Sequence, residues 1–156
     1  MDHMEYAGKL FLEGYNCAQS VMVAFCDLTG LKEDFAAQVA SPFGGGMGRM
    51  REVCGAVSGM LMVAGLLYGY HDPQNNAGKR ELYKLEQLLA GKFREQTGSI
   101  VCRDLLKNPP SDPIPSARTS EYYQSRPCTR MVMLASRILD EYIAEHPVPG
   151  HEEVHL

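Results

Sequence analysis

Positions 54–70 hold no charged residue, and apolar side chains fill most of them. Val53, Ala56, Val57, Met60, Ala64, Leu67 and Tyr68 recur at helical spacing. Leu61, Met62, Val63 and Leu66 add apolar groups on the other sides. The pattern predicts a helix that is hydrophobic nearly all round, the kind buried in a domain centre or in a membrane. A membrane span needs roughly 20 apolar residues. This run is 17 long with four glycines in it, and nothing else in the chain approaches a second span. A buried central helix, without stable membrane insertion, is the expectation.

The glycines carry a second pattern. Gly55 and Gly59 are four apart, as are Gly65 and Gly69. Glycine inside a helix costs roughly 1 kcal/mol against alanine. A pair at this spacing shares one face, where another backbone can come close. Such packing would bring other groups up to Cys54. Ahead of the helix lies FGGGMGR at 43–49. It has neither the Gly-Lys-Ser/Thr ending of a phosphate loop nor the dinucleotide fingerprint, and no clear strand leads into it. A loop that bends tightly over a neighbouring site is expected instead.

Elsewhere the periodicity predicts helices over 2–12, 17–28, 32–39, 77–97 and 100–106, one turn over 121–125, and a last helix from Pro127. Asn16 is a good N-cap for the second. Gly30 and Gly98 act as stops. Leu82, Leu85, Leu89 and Phe93 form the buried face of the 77–97 helix, and Met131, Ala135, Ile138 and Tyr142 that of the last one. Residues 107–119 carry Pro109, Pro110, Pro113 and Pro115, an irregular crossover that is either a flap or a wrap around the core. No run reads as a strand. The fold class is all-α: a single-domain bundle of five to seven helices over residues 1–146, with a polar tail at 147–156.

A chain of 156 residues fits one domain with a real core. Net charge of −4, pI near 5.7 and no basic stripe argue against nucleic acid as a partner. The N-terminal stretch has acidic residues early and no apolar signal region, so the cytoplasm is the expected compartment. Permanent disulfides are uncommon there. Five cysteines then call for metal, transient redox chemistry or plain burial.

Cys17, Cys54, Cys102 and Cys128 all fall at or near the start of a predicted helix, whereas Cys26 sits late in its own. A helix N-terminus carries about half a positive charge. It favours thiolate, the form that attacks disulfides and binds metal. Arg51, Arg103, Arg126 and Arg130 lie nearby in sequence. Four such termini pointing at one place would make a thiolate pocket. Against this, free cysteine often packs as a small hydrophobe, and there is no C-x-x-C anywhere.

CGAVSG at 54–59 matches a CGAxxG motif. Together with NCAQ at 16–19, the glycine run, and single cysteines at 102 and 128, it resembles the bacterial and archaeal family named for its C, GCAxxG, C, C pattern, whose members are described as redox-active. The resemblance covers roughly residues 4–142. It implies that Cys17, Cys54, Cys102 and Cys128 are the family cysteines with a shared site, and that Cys26 lies outside the pattern. It supplies no substrate and no redox partner.

Three functions compete. In the first, a low-pKa cysteine, Cys54 by preference, attacks a disulfide or oxidant and a second cysteine resolves it. In the second, the four cysteines hold an iron–sulfur cluster or zinc. In the third, the chain is a non-catalytic helical interaction module, and the glycine faces build a homodimer. Histidines 3, 71, 146, 151 and 155 lie mostly at termini or in a turn without a catalytic motif. Tyr122 and Tyr123 are placed near Cys128, with packing as their expected role.

Overall fold

Asp2 opens the first helix, α1 (His3–Leu12), by accepting the Glu5 amide on its carboxylate at 2.7 Å. The computed structural model describes residues 2–148. Asn16 and Gln19 close a reciprocal capping box at 2.9 and 3.0 Å that starts α2 (Cys17–Ala24). Phe25 then leaves helical geometry (φ −99°, ψ 14°). A separate turn, α3 (Cys26–Thr29), ends at left-handed Gly30. The helix expected over 17–28 is therefore two pieces, and Cys26 begins the second instead of closing the first. The break carries Asp27 back towards His3.

Next come α4 (Glu33–Ala40), the short turn α5 (Gly44–Met47) and the central α6 (Gly55–Tyr68). They are followed by α7 (Asn76–Thr97), α8 (Cys102–Leu106), α9 (Ser120–Ser125) and α10 (Cys128–Glu145). Among the described residues the structure is all-α, with one isolated antiparallel bridge between Val53 and Val101 and no strand. None of the described helices is long and apolar enough to cross a membrane.

Helix α6 lies against α2, α7 and α10, while α1 packs on α10 and α2. Ala56, Val57, Met60, Val63 and Ala64 are wholly buried. The helix is not enclosed all round, because Leu66 is 48% exposed and Leu61 and Met62 are only partly covered. Leu85, Leu89 and Phe93 of α7, and Val132, Ala135, Ile138 and Leu139 of α10, complete the core. Val148 also packs on this core. The rest of the polar tail, with His151 and His155, lies outside the described residues.

The Gly55/Gly59 face is the contact with α2. A Cβ on Gly59 would meet Ala18 O at 2.8 Å and Val21 Cβ at 3.0 Å. Gly65 faces open space and Gly69 ends the helix, so the second glycine pair builds no contact between helices.

His3 ties three elements together. Its Nδ1 lies 2.5 Å from Asp140 on α10, its Nε2 lies 2.9 Å from Asp27 on α3, and its ring stacks on Phe25 at 4.1 Å. The bond to Asp140 raises its pKa above the ordinary 6.5 against partial desolvation, and Asp27 adds to the rise. A raised folded-state pKa gives stability that is full below pH 6.5 and is lost as pH climbs through the higher folded value. His3→Gln is expected to cost about 1 kcal/mol at pH 5.5, after discounting for solvent. The deficit should shrink by pH 8.5. Urea melts of both proteins at the two pH values check this, and an equal deficit at both would contradict it.

Candidate functional site

Each of the four expected cysteines sits at a helix start. Cys17 is the first residue of α2, fixed by the Asn16 box, and Cys54 is the N-cap of α6. Cys102 begins α8, and Cys128 begins α10 after Pro127. All four line one cavity of about 60 Å³, together with Arg51, Arg118, Tyr122 and Arg126. Cys26 does not reach it; its thiol is 3.8 Å from the Met22 carbonyl.

Two devices bring the helix starts together. At the Val53–Val101 bridge the Cys54 amide donates to Ile100 O at 2.7 Å, and the Cys102 amide donates to Glu52 O at 2.6 Å. The two cysteine backbones are thus laced on either side of one bridge. On the other flank, a Cβ on Gly55 would fall 2.5 Å from Cys17 Sγ and 2.9 Å from Phe43 O. The glycine after Cys54 is what lets Cys17 lie against the α6 start.

The glycine run before this helix is a left-handed turn. Gly45, Gly46, Met47, Gly48, Arg49 and Arg51 all have φ between 60° and 69°. Glycine adopts this freely, whereas each of the other three is strained by roughly 1–2 kcal/mol. The turn swings two arginines onto the proline-rich segment. Arg49 donates from Nε to Asp112 O at 2.7 Å and from Nη1 to Ser116 Oγ at 3.0 Å. Arg51 donates from Nε to Pro110 O at 2.9 Å. The segment is therefore a tethered strap. From its end, Arg118 reaches the carbonyls of Phe11 and Tyr15 at 3.2 Å and lies over the Phe11 ring.

Burial dominates the thiols. It pushes Cys54 well above the ordinary 9.0, with Cys17 adding, while the amides of Ala56 and Val57 pull it back. Burial raises Cys102 against the Arg51 guanidinium, whose Nη1 is 3.8 Å from its Sγ. It takes Cys128 up to about 12, with Cys17 again adding and Arg126 opposing. The helix N-terminus acts on Cys54 in the expected direction, but desolvation outweighs it. The direction is thus opposite to the one expected for Cys54 from its place at a helix start. Cys17 and Cys128 are half-buried, whereas Cys54 and Cys102 are buried.

Of the arginines flagged in sequence, Arg51 and Arg126 line the cavity. Arg103 turns away to pair with Glu52 at 3.0 Å, and Arg130 lines an outer groove. Sequence reasoning missed Arg118 and Arg49, which carry no local signal. It also missed the bridge, whose hint was the β-branched residues Val53, Ile100 and Val101. Tyr122 lines the cavity, whereas Tyr123 packs edge-on against Phe11. Among the described residues, no three His, Cys, Asp or Glu side chains are arranged to hold one metal ion.

Residues 15–142 match the model of a family described as "Putative redox-active protein (C_GCAxxG_C_C)". No curated protein and no solved structure is matched by the chain. The matched span contains all four cavity cysteines and the CGAxxG motif that packs α6 on α2, and the chain belongs to this C_GCAxxG_C_C family.

Proposed function

We propose that the protein is a dithiol redox protein in which Cys17 exchanges with a substrate disulfide and Cys54 resolves the product. The observation that carries this is the single small cavity shared by four thiols, in which Cys17 Sγ lies against the start of α6 that Cys54 caps. Cys17 loses its proton to solvent, and its thiolate attacks one sulfur of the substrate. A Cys17–substrate S–S bond forms, the substrate S–S bond breaks, and one substrate thiolate leaves and takes up a proton. Cys54 then gives up its proton and attacks Cys17 Sγ, and the second substrate thiol is released. Two electrons pass from the cysteine pair to the substrate, which is reduced to two thiols. Burial that disfavours thiolate does not disfavour an uncharged disulfide, so the oxidised pair suits the same cavity.

The test is to treat fully reduced protein with excess bis(2-hydroxyethyl) disulfide, alkylate the remaining thiols and map the peptides. A Cys17–Cys54 link with Cys26 alkylated is expected. Five alkylated cysteines would sink the reading.

An iron–sulfur cluster on the four cysteines is the second reading. It is favoured by Arg51, Arg118 and Arg126, none of which has a carboxylate partner among the described residues and which together would offset the charge of a thiolate-bound cluster. Anaerobic purification followed by a visible spectrum and metal analysis separates the two.

A further inference from the structure

A second chamber, of about 190 Å³, adjoins the cysteine cavity and shares Asn16, Arg51, Arg118, Tyr122 and Arg126 with it. Arg49 and Ser116 complete its polar wall. Four guanidiniums therefore face one small space, and among the described residues no aspartate or glutamate lines either chamber. In a chain of net charge −4 this is a local reversal of sign. Arg49 has Asp112 as a carboxylate partner, at 3.7 Å. Arg118 is held by main-chain carbonyls and aromatic rings, and Arg126 by Ser116 Oγ at 3.5 Å and the Tyr122 ring. The partners of Arg118 and Arg126 orient those two cations without neutralising them. Arg51 is only 3% exposed, and its Nη2 is buried without a hydrogen-bond partner among the described residues. A buried cationic donor without a partner is costly, and an acid group in the adjoining chamber would offset that cost.

We propose that this arginine chamber binds the acid group of an anionic, low-molecular-weight disulfide and so presents its S–S bond to the neighbouring thiols. The inference rests on the dithiol reading above and names its substrate class. Binding there uses the forked donors of arginine, which suit carboxylates. The chamber, at about 190 Å³, admits the acid group and its chain, and the cysteine cavity, at about 60 Å³, admits the S–S bond.

The test uses reduced full-length protein and two matched disulfides, 3,3′-dithiodipropionate (dianionic) and bis(2-hydroxyethyl) disulfide (neutral), with rates normalised to a free thiol. Suberate, which has the dipropionate's length but no sulfur, reports binding without reaction. The dianion is expected to react about tenfold faster than the neutral compound, with the preference falling as salt rises. Suberate is expected to inhibit and to raise the Tm. Arg49→Gln and Arg126→Gln, checked for fold by circular dichroism, should move the dianion-to-neutral ratio towards the free-thiol value. Equal rates with no effect of suberate would overturn the chamber while leaving thiol exchange standing. Arginine-dependent suberate binding without reaction of either disulfide would overturn the disulfide as substrate and the dithiol reading with it. Near-stoichiometric iron in the same sample would assign the guanidiniums to a cluster and overturn the proposal.

Discussion

Alanine at Gly55 is expected to displace Cys17, lower stability by about 2 kcal/mol and remove most exchange activity. The new Cβ would sit 2.5 Å from Cys17 Sγ and 2.9 Å from the Phe43 carbonyl, with Ala18 N at 3.1 Å. A side chain can swing away from such a contact, but two of the three partners are backbone. Overpacking of this kind costs up to about 3 kcal/mol, and better helix propensity returns about 1 kcal/mol. For a domain of this size the net loss lowers the Tm by roughly 4–8 °C. Gly65→Ala is the control. Among the described residues nothing lies within 4 Å of its Cβ position, so it should gain up to about 1 kcal/mol. Thermal melts and dipropionate kinetics on both variants decide the matter. Equal behaviour of the two would mean that α2 does not pack on α6 at the glycine face.

Serine at Cys17 is expected to reduce disulfide exchange on the order of 100-fold or more, because it removes the attacking sulfur. The exchange of sulfur for oxygen is small in volume, so stability should change little. The reactivity of the other thiols supplies an independent readout. Cys17 helps to raise the pKa of Cys54, Cys102 and Cys128, so without it the alkylation profile of those three should move to lower pH. A merely structural role for Cys17 would leave that profile in place. Cys26→Ser, outside the cavity, should keep wild-type exchange. If Cys17→Ser retained full activity, the exchanging thiol would have to be another, or there would be no exchange at all.

Much of this architecture is legible from local rules. Asn16, Gly30 and Gly98 mark helix ends by capping chemistry that acts over three or four residues, and each does so in the structure. The cysteines at helix starts, and the face shared by Gly55 and Gly59, follow from the helical period alone. What stays hidden depends on contacts far apart in the chain. Convergence of four helix starts is set by packing of α2, α6 and α10 and by the Val53–Val101 bridge. Arg118 reaches the site because a strap, pinned by Arg49 and Arg51, carries it there. The break at Phe25 goes with its burial against His3 rather than with any helix breaker in the sequence. The direction of the thiol pKa shifts stays hidden for a related reason. The helix terminus can be read from the sequence, but the depth at which it is buried cannot.

Because each cavity cysteine comes from a different helix, the cavity has no local precursor. During synthesis three of the four thiols emerge with a cavity that lacks its last wall, since Cys128 arrives with α10, the helix that also packs on α1, α2 and α6. Before that point any two of the earlier cysteines could be oxidised with no geometry to select the pair. Assembly of the site and closure of the core are thus one event. Refolding under oxidising conditions should scramble the thiols, whereas refolding with reductant present leaves the choice of pair to the finished fold.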